Sequence, residues 1–259
     1  MTLTFQEHHL ETDGFRIKYL EAGPAGPVGT VVVLEGITWG ISKLQDALAE
    51  MYRIIVLELP GFGTSPANTR SSSARSLAET ANRATAEIVP EKYTLIGTSF
   101  SANVALWHAL RAPDRVEALV LVSPTALRPL GNPADPAQRL LAHPENATDL
   151  PKIDADIVAK ERELVHRLGG DSHDAEAESR LGEIQCPALV VVGSRDRLVA
   201  GEAAGIYRRD IPNCNVSIVY DAGHLIVAER PQALINVVVD YVERRETFIV
   251  SRESSLINP

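Results

Sequence analysis

Two rhythms of apolar and polar positions alternate along this chain. Phe15-Arg16-Ile17-Lys18-Tyr19-Leu20 alternates one by one, the period of a strand with one face in water. Thr30-Val31-Val32-Val33-Leu34, Arg53-Ile54-Ile55-Val56-Leu57, Tyr93-Thr94-Leu95-Ile96, Val116-Glu117-Ala118-Leu119-Val120-Leu121-Val122 and Ala188-Leu189-Val190-Val191-Val192 are near-continuous apolar runs, as in strands covered on both faces. Residues 215–220 predict a further strand. Between these runs the spacing turns helical, over residues 41–52, 77–89, 102–110, 201–208 and 231–244. The last begins at Pro231, a residue the first turn of a helix tolerates. Gly- and Pro-rich residues 23–29, Pro60-Gly61-Phe62-Gly63 and the Ser-rich stretch 64–73 punctuate the series as turns and loop. Buried strands alternating with helices predict an α/β fold with a doubly wound, mostly parallel sheet.

The rhythm breaks between residues 125 and 183. That stretch holds no buried-strand pattern, is rich in Pro, Ala and charge, and shows helical patches at 137–142 and 153–168. It has too few apolar residues for a core of its own, so it reads as a helical cap insertion, 125–183, in a core made of 1–124 and 184–259. Residues 247–259 read as a loose or docked tail.

Composition narrows the field of functions. A formal net charge of −9 argues against a nucleic-acid partner, whose phosphates need a basic surface, and weakly against an acidic membrane. The 2 cysteines, Cys186 and Cys214, are too few for a disulfide scaffold and precede strand-like runs, so buried reduced thiols are expected. The first ten residues lack the basic head and apolar core of a signal peptide, and no apolar run approaches a membrane span. The expectation is a soluble cytoplasmic protein with a small-molecule substrate, as monomer or homodimer.

In a doubly wound sheet, ligands sit beyond the carboxyl ends of the strands. The chain places its chemistry there. Ile96-Gly97-Thr98-Ser99-Phe100-Ser101-Ala102 is strand, sharp turn and helix start, with Ser99 at the tip and small residues two positions to either side. The helix that follows aims free N–H groups at the same point, where negative charge is favoured. Gly193-Ser194-Arg195-Asp196 follows another strand, and Asp221-Ala222-Gly223-His224 follows the last. A hydroxyl, a carboxylate and an imidazole are the three groups of nucleophilic acyl transfer. The base takes the hydroxyl proton, and the acid fixes the base's tautomer.

These pieces together resemble the α/β-hydrolase fold family over about residues 15–244. The matching stretches are Leu34-Glu35-Gly36, Leu59-Pro60-Gly61-Phe62-Gly63-Thr64-Ser65, the turn at Ser99, the loop at Asp196, and Ala222-Gly223-His224 with Glu229-Arg230-Pro231. The resemblance implies Ser99 as nucleophile, Asp196 as acid and His224 as base. It also implies an oxyanion hole from the backbone N–H groups of Phe100 and Ile37, and a cap from the insertion. Glu35, Gly36 and Trp39 are the substrate-binding candidates on the first loop; Phe62 and Phe100 are further candidates for an apolar wall.

Two residues depart from the family pattern. Glu35 stands where a histidine is usual; it either turns inward to bond loop backbone or alters the charge of the site. Ser101 replaces glycine. Asp221 competes with Asp196 as the acid, though it belongs to the strand end. Arg195 and Arg197 flank Asp196, and Glu58 reads as a loop-capping acid. His108 reads as packing or surface, Trp107 as core, and His143, His166 and His173 as solvent-facing. No phosphate-binding glycine loop, metal-ligand cluster or nicotinamide fingerprint is present, so no cofactor and no metal is expected. The expected activity is cofactor-free serine hydrolysis of a small ester, thioester or lactone. Carbon–carbon bond hydrolysis of a diketone-like acid, a ligand-binding protein on this scaffold and a lyase using the same histidine stay open.

Overall fold

The computed structural model describes residues 4–35, 40–127, 140–146, 154–170, 173–199 and 201–248. Strands β1 (Gln6–Thr12) and β2 (Phe15–Ala22) form an antiparallel hairpin that turns at Asp13 and Gly14, both at positive φ. Strands β3 (Thr30–Glu35), β4 (Arg53–Glu58), β5 (Tyr93–Thr98), β6 (Val116–Val122), β7 (Ala188–Gly193) and β8 (Cys214–Val219) run parallel to one another. The eight-stranded sheet has the order β1-β2-β4-β3-β5-β6-β7-β8, with β2 antiparallel to β4. Strand β1 is an addition to the sequence reading. Its residues QEHHLET are exposed or half-buried throughout, and its half-buried face, His8, Leu10 and Thr12, has only Leu10 to signal hydrophobic alternation.

Successive strand residues feed opposite faces. Val32, Leu34, Ile55, Leu57, Leu95, Leu119, Leu121, Val190 and Val192 lie in one core. Helices α2 (Ala74–Ile88), α3 (Phe100–Arg111) and α6 (Gly201–Asp210) cover it with residues such as Leu77, Leu106 and Tyr207. Val31, Val33, Ile54, Val56, Ile96, Val120, Leu189 and Val191 face the other core, under α1 (Lys43–Ala49) and α8 (Pro231–Arg244). Burial on both faces is why the central strands lack alternation. Helix α1 begins two residues later than the apolar spacing suggested, because Ser42 caps it and reciprocates with Gln45 in a capping box, and it ends at Ala49.

Between β6 and β7 the described residues contain α4 (Ala155–Arg167) and α5 (Ala175–Ser179). Of the expected helical patch at 137–142, residues 137–139 lie outside the described residues and 140–142 are not helical. Helix α4 buries Leu164, and polar ties hold it over the loop after β4. Lys160 Nζ donates to the carbonyls of Gly63 at 2.8 Å and Ser65 at 2.6 Å, Glu161 accepts the Gly63 N–H at 2.7 Å, and Arg167 donates to the carbonyls of Asn68 and Ser71. Near α5, Asp174 accepts the indole N–H of Trp107 at 2.9 Å while Arg75 and Arg180 lie over that ring. Trp107 is core, as expected. Both cysteines are free and buried, and burial pushes each thiol up to about 11. Among the described residues, no helix is long and apolar enough to cross a membrane, and no cluster of side chains could hold a metal ion.

Candidate active site

The turn at Ser99 is built by steric demand. A Cβ on Gly97 would collide with the Ser101 carbonyl oxygen and lie 2.8 Å from Ala102 Cα, so only glycine lets β5 and α3 pack this closely. Ser99 itself sits at φ 56° and ψ −121°, a conformation that costs a side-chain-bearing residue about 1–3 kcal/mol. Its N–H is spent on the Val122 carbonyl of β6, at 2.8 Å. Ser101, the departure from glycine, is buried, and its carbonyl supplies the crowding at Gly97. Phe100 is the first residue of α3, so its N–H is one of those a helix start leaves without an intrahelical acceptor.

Three chain-distant residues meet at this turn. His224 Nε2 lies 2.8 Å from Ser99 Oγ, and His224 Nδ1 lies 2.9 Å from Asp196 Oδ2. The Asp196 carboxylate only accepts, so Nδ1 carries the proton and Nε2 is left to accept from the serine hydroxyl. The other carboxylate oxygen, Oδ1, accepts the N–H groups of Leu198 at 2.8 Å and Val199 at 2.9 Å. The side chains of His224 and Asp196 are 0% and 1% exposed, which shields their bond from competing water.

The acid loop and the histidine loop are fitted to each other. A Cβ on Gly193 would collide with the carbonyl oxygens of Ala222 and Gly223. Arg195 N–H donates to Ala222 O at 2.9 Å, and Ser194 Oγ accepts the Asp221 N–H at 2.8 Å. Asp221 does not reach the imidazole of His224. Its carboxylate pairs with Arg195 and Arg230, each at 2.7 Å, and with His143 at 3.0 Å. The close His143 ring and these cations hold it below the usual carboxylate range. Arg195 therefore serves Asp221 and not its sequence neighbour Asp196. His143, read from the sequence as solvent-facing, is half-buried and bridges Asp221 and Glu145. His173 is likewise half-buried, with Nε2 2.6 Å from Glu178.

Glu35 ends β3, next to β5 through the pair Leu34–Gly97. Among the described residues its partner is a side chain, the Gln45 amide; the loop that follows lies outside them. Gln45 Oε1 accepts the Ser42 N–H at 2.7 Å, which turns its NH2 group toward Glu35. Burial raises the Glu35 carboxyl to about 7, against the opposing effect of the Gln45 hydrogen bond. Gly36, Ile37 and Trp39 lie outside the described residues. Phe62 and Phe100 stack with ring centres 6.2 Å apart, both buried. Glu58 caps the following loop, accepting the Ser65 N–H at 3.1 Å and hydroxyl at 2.5 Å, and adds an ion pair to Lys18 at 2.9 Å. His108 is fully buried against the Tyr93 hydroxyl, away from Ser99 on the helix.

Comparison with known proteins adds a family. Residues 30–237 match the model of the alpha/beta hydrolase family. A 2-hydroxy-6-oxononadienedioate/2-hydroxy-6-oxononatrienedioate hydrolase of Pseudomonas putida is 28% identical over 83% of this chain and 87% of its own. A pimeloyl-[acyl-carrier protein] methyl ester esterase of Pectobacterium carotovorum is 26% identical over 82% of this chain and 94% of its own. The solved structure of a bacterial membrane phospholipase A shares the fold at a TM-score of 0.76 and 21% identity, covering 92% of this chain and 86% of that one. The chain belongs to the alpha/beta hydrolase family.

Proposed function

We propose that the chain is a serine hydrolase that attacks a carbonyl carbon with Ser99 and passes through an acyl-enzyme. The observation that carries this reading is the continuous hydrogen-bonded line Ser99–His224–Asp196, with distances of 2.8 and 2.9 Å. In it, Ser99 Oγ bonds to the carbonyl carbon while its proton moves to His224 Nε2. Asp196 supports the imidazolium through Nδ1–H. The oxyanion lies toward the Phe100 N–H, with the second donor assigned to Ile37; one such donor is typically worth about 3–4 kcal/mol. His224 then gives its proton to the leaving group as the carbonyl carbon's bond to it breaks. Water, deprotonated by the same imidazole, releases the acid and restores Ser99.

The substrate class proposed is a small carboxylic ester, thioester or lactone, in keeping with the similarity to the methyl ester esterase. A second reading, carbon–carbon bond hydrolysis of a diketone-like acid, is favoured by the similarity to the Pseudomonas putida hydrolase. In either case Glu35, with Gly36 and Trp39, belongs to the substrate side of the site. The test is steady-state turnover of a short-chain ester panel by wild type and His224→Ala. Multiple turnover that falls by about 10⁴-fold or more in the variant is expected. Equal rates in the two proteins would overturn the reading.

A further inference from the structure

One buried carboxylate ties the loop of His224 to a segment some eighty residues away. Glu229, the last residue of α7 (Ile226–Glu229), is 8% exposed. Its Oε2 accepts the N–H of Gly223 at 2.5 Å, and its Oε1 accepts the N–H of His143 at 2.6 Å. Gly223 directly precedes His224. His143 lies in residues 140–146, part of the connection between β6 and β7. On the other side of His224, the Leu225 N–H donates to Leu140 O at 2.9 Å. The neighbours of His224 on both sides, Gly223 and Leu225, are thus tied through their N–H groups to the same segment, Leu225 directly and Gly223 through Glu229.

The fit is tight. A Cβ on Gly223 would lie 2.6 Å from Ala142 N, 2.9 Å from Glu229 Oε2 and 3.0 Å from Leu140 O. The carbonyl of His224 is held as well, by the Ser123 hydroxyl at 2.9 Å, where the connection leaves β6. Asp196 orients the ring, but it does not fix the backbone that carries the ring. A carboxylate buried here is favoured only because both oxygens find N–H donors, and each such bond is charge-assisted.

We propose that Glu229 is a positioning residue that couples segment 140–146 to the His224 loop, so that the inserted segment sets the imidazole's place relative to Ser99. This rests on the reading of Ser99, His224 and Asp196 as the reacting line. Glu229 acts through the Gly223 peptide. A Gln at 229 keeps one acceptor but turns an NH2 group toward the second N–H, so one of the two ties is lost.

The experiment compares wild type, Glu229→Gln, Gly223→Ala and His224→Ala. It reads the rate of Ser99 labelling by a fluorophosphonate, kcat and KM on p-nitrophenyl acetate, and hydrogen–deuterium exchange by peptide. For Glu229→Gln, labelling and kcat are expected to fall together by about 10- to 100-fold, the scale of a small misplacement, with KM nearly unchanged. Exchange is expected to rise in residues 140–146 and 221–229 together. Labelling at the wild-type rate, or faster exchange confined to 221–229, would overturn the coupling. If Glu229→Gln does not fold, Gly223→Ala, which keeps the Glu229 carboxyl but crowds both it and Ala142, is expected to give the same paired changes; its absence of effect overturns the proposal. Failure of the relay itself shows differently, as wild-type labelling in His224→Ala.

Discussion

The amide of Gln45 donates to the carboxylate of Glu35 at the end of β3, and the Ser42 cap fixes which way that amide points. This makes Glu35 a titrating group beside the proposed oxyanion site. Its carboxyl, raised to about 7 by burial, is neutral in mild acid and anionic above neutrality. An anion there opposes the oxyanion. The ratio of kcat/KM for Glu35→Gln over wild type is therefore expected to rise as pH increases through 7. Stability follows the same titration. The native state holds the Glu35 proton longer than the unfolded chain does, so wild type loses stability relative to Glu35→Gln between pH 4.5 and 7. A flat ratio in paired pH–rate and pH–melting profiles would contradict this.

His108 and Tyr93 make a second buried pair, with 2.6 Å between Nε2 and the hydroxyl. Burial, with Arg115 close by, lowers the histidine to about 3. Between pH 3 and 6.5 the unfolded chain binds a proton there that the native state refuses, so stability falls with acid over that range. His108→Gln is expected to flatten the acid limb of the melting profile. Tyr93→Phe leaves the imidazole without its partner and is expected to cost about 1–3 kcal/mol in denaturant unfolding at pH 7.

Much of the candidate site could be read in the chain because each of Ser99, Asp196 and His224 follows a strand and sits in a local pattern. Gly97 before Ser99, Gly193 before Asp196 and Gly223 before His224 mark places where backbone must approach backbone, and local sequence records that demand. What could not be read depends on packing across the fold. Nothing near His143 announces Asp221 or Glu229, and nothing near Glu35 announces Gln45 as its donor. Asp221 illustrates the limit, since its proximity to His224 in sequence says nothing of the two arginines and the histidine that occupy it. Strand β1 escaped for another reason: its half-buried face, at His8, Leu10 and Thr12, holds one aliphatic residue, so hydrophobic alternation is too weak to mark it and pairing with β2 largely fixes it.

His143 provides a test of opposite sign from His108. The nearby carboxylates of Asp221 and Glu145 raise its titration, and the cluster around it also holds Arg195, Arg230 and Glu229. The protonated form is favoured in the native state. Its contribution is present below the ordinary histidine value and is lost as pH rises past the raised one. His143→Gln is expected to remove that pH-dependent part of the melting temperature, so the gap between wild type and variant closes on the alkaline side. A gap that stays constant from pH 5 to 9 would count against it.

Asp196→Asn keeps the size of the side chain and changes its chemistry. The amide cannot accept from His224 Nδ1–H and from the two N–H groups of Leu198 and Val199 at once. The wrong imidazole tautomer follows, and kcat is expected to fall by about 10⁴-fold while KM changes little. Steady-state kinetics at saturating ester measure this.

The most direct measurement is covalent labelling by a fluorophosphonate, with the modified peptide located by mass spectrometry. The Ser99–His224 hydrogen bond predicts one adduct on wild type, at Ser99, no adduct on Ser99→Ala, and strongly slowed labelling of His224→Ala. An adduct that persists on Ser99→Ala, or forms on His224→Ala at the wild-type rate, would contradict it.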